Sequence, residues 1–272
     1  MKLANMPLYT NLDRVERGLG ALGIAPGERI APEQLYTMDQ WHYHGLEAVD
    51  AAARTLGIGP SSHVLDVGAG IGGPARYLAH KYGCRVTALE LQAEVHAVGV
   101  DLTRRVGLDG QVTHVCGDVL TEPLPPASFD GVLSLLAVLH IPDRPRLFAR
   151  LARLLRPGGG AYVEDLCERA PFASRDLADL RTIVCGVTVT SPDAYVADFG
   201  AAGFVAVAAT DLTPDWAPYA AARLVSWRAN HDAYARVHGE PAYAAQERFY
   251  AAIARLYDSG SLGGIRLVAR LP

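Results

Sequence analysis

The stretch Val64-Leu65-Asp66-Val67-Gly68-Ala69-Gly70-Ile71-Gly72-Gly73-Pro74 decides the fold of this chain. An apolar run ends in Asp66, a glycine-dense turn follows, and residues 75–82 have the pattern of a helix. Glycines allow the backbone to turn at positive φ and to approach a ligand closely, and the amides of the following helix point at the same place. A carboxylate there would repel phosphate, so Asp66 favours a ligand with an ammonium group or hydroxyls. Three glycines of the turn are predicted to bind it: Gly68, Gly70 and Gly72.

Composition limits the class of protein. The chain has 272 residues, half of them hydrophobic, which is enough for one ordinary core. A net charge of −4 and a pI near 6.1 argue against a nucleic-acid partner. The four cysteines form no CxxC pair, which favours reduced thiols over a disulfide framework or a zinc site. No signal peptide or membrane-spanning run is recognisable, so we expect a cytoplasmic protein without a membrane partner.

Strands and helices alternate through the first two thirds of the chain. Strands are predicted at 64–67, 85–89, 112–116, 131–136 and 161–166. Helices are predicted at 12–22, 46–57, 75–82 and 92–106, and after the N-cap Asp143 up to the Pro-Gly-Gly run at 157–159. This series predicts an α/β fold with a Rossmann-like, seven-stranded and mostly parallel sheet that carries helices on both faces.

The alternation loosens from residue 167 onward. A helix after Ser191 and a sixth strand at 203–209 precede two aromatic-rich helical stretches, at 215–237 and 241–258, and a seventh strand at 264–271. Helices inserted between the last two strands would sit above the sheet, where ligands of such folds bind. The predicted organisation has three parts: N-terminal helices and a cofactor lid at 1–60, a cofactor-binding core at 61–166, and at 167–272 the rest of the sheet with a helical substrate cap at 190–258.

Each of the first three predicted strands ends in an acid: Asp66, Glu90 and Asp118. The carboxyl ends of parallel strands share one edge of the sheet, so the three would line one crevice. We predict Asp66 near the amino-acid end of a nucleoside-like ligand, Glu90 at its ribose and Asp118 at its adenine amino group. Each acid alone can equally be a turn residue or a helix cap. The glycine turn also satisfies the GxGxxG dinucleotide pattern, which alone is a weak signal.

These motifs together resemble the class I S-adenosylmethionine-dependent methyltransferases. The matching pieces are 64–73, Glu90, Gly117-Asp118, 129–132 and 154–159. The resemblance covers roughly residues 40–166 and continues more loosely through the seventh strand, which is antiparallel in that family. The runs 72–77 and 140–143 are most similar to the small-molecule subgroup, which includes sarcosine/dimethylglycine N-methyltransferases, natural-product sugar O-methyltransferases and prenyl-diphosphate C-methyltransferases. The resemblance implies S-adenosyl-L-methionine as cofactor and a small-molecule acceptor, and it adds Leu91 and Val119 to the cofactor-binding residues.

Methyl transfer of this kind requires an oriented nucleophile and removal of its proton. A base with a pKa near neutrality suits that role, and His140 follows the fourth strand at the mouth of the crevice. Asp165 ends the fifth strand, and in similar sugar O-methyltransferases a His and an Asp at matching positions act as a catalytic pair. Alternatively, His140 caps a loop and Asp165 is a surface acid. A preformed amine acceptor would need only positioning.

The segment 39–45 is predicted to form the lid. In related enzymes an aromatic, histidine and glycine segment folds over the cofactor, so Trp41 and Tyr43 are predicted to cover the sulfonium. An ordinary aromatic packing cluster is the alternative. His42 and His44 lack a third ligand and make a weak zinc signal, so no metal is predicted.

The sequence therefore predicts methyl transfer to the O, N or C nucleophile of a small molecule, a specialised metabolite. In the cap, Arg223 and Arg228 can bind an anionic acceptor, although solvated arginines are common on helices. A protein of the same fold that binds the cofactor without transferring methyl, as a cyclase or regulator, is the alternative, and a nicotinamide-dependent oxidoreductase is a third. The identity of the acceptor and the formation of a homodimer stay open.

Overall fold

A computed structural model describes residues 12–272, so residues 1–11 of the predicted N-terminal region lie outside the described part. Seven strands form one sheet: β1 His63–Val67, β2 Arg85–Glu90, β3 Val112–Cys116, β4 Phe129–Leu135, β5 Leu155–Glu168, β6 Val205–Asp211 and β7 Leu262–Arg270. The strand order is β3-β2-β1-β4-β5-β7-β6. Strands β1 to β5 pair in parallel, whereas β7 is antiparallel to both of its neighbours. The predicted Rossmann-like, mostly parallel sheet is confirmed.

Helices cover both faces of the sheet. They are α1 Asp13–Ala21, α2 Pro32–Leu35, α3 Leu46–Leu56, α4 Gly73–Tyr82, α5 Ala93–Arg105, α6 Arg144–Leu154, α7 Ser174–Thr182, α8 Pro192–Ala201, α9 Thr213–Ala229, α10 His231–His238 and α11 Glu240–Asp258. The helix caps are those expected from the sequence. The Asp143 carboxylate accepts a hydrogen bond from the backbone N–H of Arg146 at the start of α6. Gly57 and Gly83, both in the left-handed conformation, end α3 and α4.

Several elements differ from the prediction. Helix α6 ends at Leu154, before the Pro-Gly-Gly run, because Leu155 already pairs with Phe129 of β4. The predicted helix at 215–237 is two helices that meet at Asn230, whose side-chain amide donates to the carbonyl of Ser226. Helix α7 was not predicted, because its charged sequence buries only Asp176 and Leu180 and so shows no apolar stripe.

Two clusters of apolar side chains pack on the sheet, one on the side of α6 and α8 and one on the side of α3 and α4. Phe199 of α8 lies 4.1 Å from Phe148 of α6 between ring centroids, so α8 belongs to the sheet layer. Only α9, α10 and α11 of the predicted cap leave the sheet, and they insert between β6 and β7 around a third cluster that contains Trp216 and Leu256. The helical excursion therefore begins at residue 213 rather than 190.

Two further features concern the cysteines and the apolarity of the helices. All four cysteines are free thiols, and three of them are buried. Across residues 12–272, no helix combines the length and the apolarity that a bilayer crossing requires.

Candidate functional site

A cavity of about 170 Å³ opens at the carboxyl edge of the sheet. It is lined by Asp66 and Glu90, at the ends of β1 and β2, by Asp118, just beyond β3, and by Leu91 and Val119. The parallel order β3-β2-β1 brings these strand ends side by side. The structure therefore gathers in one cavity the three acids that the sequence placed in one crevice.

Asp66 lacks a partner within this cavity wall. Its side chain is 2% exposed, and its Oδ2 has no hydrogen-bond partner in the described part of the chain. Burial, and to a smaller extent the nearby negative charge of Glu90, raise the pKa of Asp66 to about 7. A buried carboxylate oxygen without a donor is costly unless a ligand supplies one. An ammonium group would both donate to Asp66 and stabilise its charge.

Glu90 is held by the backbone on both of its oxygens. Its Oε2 accepts from the N–H of Gly70 at 2.9 Å, and its Oε1 accepts from the N–H of Gln92 at 2.9 Å. Burial raises the pKa of Glu90, while these N–H donors act in the opposite direction. A carboxylate so fixed keeps lone pairs for the hydroxyls of a ligand. Asp118 is oriented similarly, because its Oδ1 accepts from the N–H of Leu120 at 2.9 Å.

Two glycines of the turn hold backbone conformations that other residues rarely adopt, and a side chain at Gly68 would meet a neighbouring residue. Gly68 has a φ of +73°, and a Cβ there would lie 2.3 Å from the Cβ of Ala137. Gly70 has a φ of +56° and faces the ring of Trp41, 3.9 Å from where its Cβ would be. Both glycines line the cavity. Their position in the cavity wall agrees with close backbone contact to a ligand, and that contact stays a prediction.

Gly72 does not line the cavity, which corrects its predicted contact with the ligand. It precedes α4 with a φ of +83°, and a Cβ there would lie 2.7 Å from His114 and 3.0 Å from Arg76. Gly72 is therefore required by the packing behind the turn.

A buried ion pair behind the turn was missed by the sequence analysis. Arg76 donates to Asp39 at 2.9 Å and to the carbonyl of Ile71 at 2.6 Å, and both ionic side chains are at most 2% exposed. Burial raises the pKa of Asp39, and the positive charge of Arg76 opposes that shift. The pair ties the lid segment to the glycine turn. No local spacing connects residues 39 and 76, so the sequence carried no signal for it.

The structure separates the two aromatic residues of the lid. Trp41 lines the cavity, and its indole N–H donates to the carbonyl of Met38. Tyr43 is buried elsewhere, stacked on Trp216 of α9 with 4.2 Å between ring centroids. The prediction that both rings cover the cofactor is therefore wrong for Tyr43. The turn at 42–45 directs Tyr43 toward the cap helices.

The two lid histidines have different surroundings. His42 lines the cavity and lies 2.9 Å from the carbonyl of Gly45 through Nε2, whereas His44 pairs with Asp215 of α9 at 2.8 Å. Within residues 12–272, no group of three potential metal ligands comes together.

His140 stands on a short 3-10 turn, Val138–His140, that follows β4. Its Nδ1 lies 2.9 Å from the carbonyl oxygen of Cys185, so Nδ1 carries the proton and Nε2 the free lone pair. Burial lowers the pKa of His140, which keeps the ring neutral near pH 7. A neutral imidazole with a free Nε2 can accept a proton.

Asp165 does not form the predicted catalytic pair with His140. Its Oδ2 accepts from the N–H of Leu139 and its Oδ1 from the N–H of Leu166, each at 2.7 Å. The side chain is fully buried and lines neither cavity, and burial raises its pKa to about 7. Asp165 instead holds the backbone of the turn that carries His140. It lies near the carboxyl end of β5 and is fully buried there.

A second, larger cavity of about 1450 Å³ lies beneath α9, α10 and α11, and we call it the cap chamber. Its walls are mainly apolar and aromatic and include Leu139, Leu166, Val184, Trp227, Phe249 and Ile253. Three residues line both cavities: Trp41, Leu136 and His140. The two spaces therefore meet at His140.

Comparison with known proteins agrees with this site. Residues 65–163 match the family profile described as a methyltransferase domain. The sarcosine/dimethylglycine N-methyltransferase of Halorhodospira halochloris is 41% identical over 120 residues, which cover 44% of this chain and 42% of that protein. The chain spans between 34% and 42% of the length of the first curated relatives that it matches.

Solved structures share the fold. Phosphoethanolamine N-methyltransferase 2 of Haemonchus contortus, in complex with phosphomonomethylethanolamine and S-adenosylhomocysteine, superposes with a TM-score of 0.81 at 19% identity, over 98% of this chain and 58% of that one. The [4+2]-cyclase SpnF superposes with a TM-score of 0.68 at 20% identity, over 90% of this chain and 98% of that one.

Residues 65–163 form a methyltransferase domain, and S-adenosylmethionine is its cofactor. The cavity fits that cofactor, because the Oδ2 atom of Asp66 has no hydrogen-bond donor among residues 12–272 and suits an ammonium group. The family, fold and cofactor predicted from the sequence motifs are confirmed.

Proposed function

We propose that this protein transfers the methyl group of S-adenosylmethionine to an oxygen, nitrogen or carbon nucleophile of a small molecule, a specialised metabolite. The observation that carries the proposal is the junction of the two cavities at His140, Trp41 and Leu136. An acceptor in the cap chamber would present its nucleophile at this junction, next to the cofactor cavity. Fixing two reactants in contact geometry supplies much of the rate of such a transfer.

We assign the three acids of the cavity to three parts of the cofactor. Asp66 binds the ammonium group, Glu90 the ribose hydroxyls and Asp118 the adenine amino group, with Leu91 and Val119 as apolar neighbours. The unpaired Oδ2 of Asp66 and the backbone-anchored carboxylate of Glu90 support this assignment. When bound, the cofactor supplies an electrophilic methyl group on a sulfonium.

His140 acts on the acceptor as a base or as a positioning group. Its neutral ring accepts a proton at Nε2, while the Nδ1 hydrogen bond to Cys185 fixes the ring plane. Asp165 holds the turn beneath it through the N–H of Leu139. A hydroxyl or carbon nucleophile needs proton removal, whereas a neutral amine needs only orientation.

Transfer of a labelled methyl group tests the proposal. The protein is incubated with S-adenosylmethionine labelled in its methyl group and with a panel of hydroxyl, amine and carbon-acid acceptors that have apolar bodies. We expect label in one acceptor class, with one S-adenosylhomocysteine released for each product. Omission of the acceptor is the control. Tight cofactor binding without any release of S-adenosylhomocysteine would contradict methyl transfer.

A second candidate function is a reaction in which the bound cofactor keeps its methyl group. The fold shared with a [4+2]-cyclase over 98% of that chain, together with the volume of the cap chamber, favours it as the alternative. The same labelling experiment separates the two functions, because a cyclisation consumes the substrate without releasing S-adenosylhomocysteine.

A further inference from the structure

Arg223 is a cation in the wall of the cap chamber without an acidic partner. It lies on α9, is half-buried, and places its guanidinium carbon 4.9 Å from the ring centroid of Tyr250. No carboxylate of the described residues lies within ion-pair distance of it. Two other arginines of the cap helices are paired, Arg228 with Glu247 at 2.7 Å and Arg255 with Asp176 and Asp179, whereas Arg236 and Arg248 have no ion pair within residues 12–272.

The positive charge of Arg223 acts on two residues of the lid segment. Burial, and to a smaller extent the charge of Arg223, lower the pKa of His42, which lines the cofactor cavity, to about 4. Burial raises the pKa of Tyr43, which lines the chamber, while a hydrogen bond with Tyr257 and the charge of Arg223 oppose this, so that the pKa is about 12. Arg223 is therefore close enough to the lid segment to act on both residues.

The remaining charges of the chamber leave Arg223 uncompensated. The carboxylates of the wall are Asp13 and Glu94, which come from α1 and α5, and Asp13 pairs with Arg17. Arg14 and Arg248 add two further positive charges. A partly desolvated guanidinium favours a ligand that brings its own negative charge, and its fork-shaped donors match a carboxylate or a phosphate.

We propose that the acceptor carries a carboxylate or phosphate group on an extended apolar body, and that Arg223 binds this anionic group inside the cap chamber. This inference rests on the proposed function, since it names the class of molecule that is methylated. The apolar walls account for the body of the acceptor. The chamber volume of about 1450 Å³ exceeds the ~300–1,000 Å³ that is usual for small-ligand pockets.

The test compares amphiphiles that differ only in the head group. Dodecanoate, dodecyl phosphate and dodecan-1-ol are titrated by calorimetry into the full chain, with and without S-adenosylhomocysteine. We expect at least one anion to bind about tenfold more tightly than the alcohol, and the tighter anion identifies the head group. Arg223→Gln should remove this preference, since one charge-assisted contact contributes about that much. The affinity of Arg223→Gln for dodecan-1-ol should stay within about twofold of the wild-type affinity.

Arg228→Gln is the matched control. Arg228 lies on the same helix and pairs with Glu247 on the surface, so its loss should leave all three affinities unchanged. Arg223→Lys keeps the charge and should retain part of the preference, which separates loss of charge from loss of fold. Equal binding of the alcohol and both anions by the wild-type protein would overturn the proposal, as would an undiminished preference in Arg223→Gln. Failure of S-adenosylhomocysteine to bind the same samples would instead count against the proposed function.

Discussion

Replacing Asp66 by Asn is expected to weaken S-adenosylhomocysteine binding about 100-fold, which corresponds to about 2.7 kcal/mol. The variant loses the negative charge that the ammonium group would meet, at a buried carboxylate whose Oδ2 has no donor among residues 12–272. The same substitution should raise the melting temperature of the ligand-free protein at pH 8 by roughly 5 °C, because it removes a buried charge. Calorimetric titration and thermal unfolding measure the two effects.

The stability effect of Asp66→Asn should depend on pH in a defined direction. The pKa of Asp66 is raised from 3.8 to about 7 in the folded protein, so the folded state binds more protons than the unfolded state between these values. The carboxyl group therefore costs the wild-type protein stability as the pH rises from 3.8 to 7. The increase in melting temperature of the Asn variant over the wild type should be small near pH 4 and should reach its full size above pH 7.

The control for this prediction is Asp109→Asn. Asp109 is exposed and follows α5, outside both cavities. Its substitution should change neither the cofactor affinity nor the melting temperature. If Asp66→Asn bound S-adenosylhomocysteine as tightly as the wild type, the assignment of Asp66 to the ammonium group would be wrong.

Replacing His140 by Ala should reduce methyl transfer about 1000-fold while S-adenosylhomocysteine affinity stays within about threefold. The reason is that His140 holds the neutral Nε2 at the junction of the two cavities. Single-turnover transfer of labelled methyl measures the first quantity, and calorimetry measures the second. His63→Ala is the control. His63 is the first residue of β1 and lines neither cavity.

The pH dependence gives a second readout for His140. Only the neutral ring can accept a proton, and burial lowers its pKa below the usual 6.5. The ratio kcat/KM should therefore fall only when the pH drops below 6.5, and it should be flat on the basic side of that value. His140→Ala should lose this acidic limb. Wild-type rates in His140→Ala would contradict a role of His140 as base, and a loss of less than about tenfold would restrict it to positioning.

The parts of the site that the sequence predicts lie at strand ends. Asp66, Glu90 and Asp118 each follow a recognisable apolar run, and a parallel sheet necessarily gathers such positions at one edge. Gly68 and Gly70 were predictable for a related reason. The backbone of the turn after β1 needs positive φ at both positions, and a ligand in the crevice has to come close to it. The acids at the strand ends and the glycines of the turn, which line the cofactor cavity, can therefore be predicted from local sequence patterns.

The sequence does not predict the direction of side chains in irregular segments, because these segments have no helical or strand periodicity. It also does not predict contacts between segments that only the fold brings together. Trp41 and Tyr43 are two residues apart in an irregular segment, so nothing local shows that one faces the cavity and the other α9. Asp165 lies within β5, where its burial and its bonds to the turn of His140 follow from the neighbouring elements. The Asp39 and Arg76 pair likewise joins segments that only the fold brings together.

A crystal structure with S-adenosylhomocysteine tests the central claim most directly. The account predicts the ammonium group within hydrogen-bond distance of Asp66 Oδ2, the ribose hydroxyls at Glu90, and the sulfur at the junction formed by Trp41, Leu136 and His140, facing the cap chamber. Binding outside this cavity, or a sulfur directed away from the chamber, would contradict it.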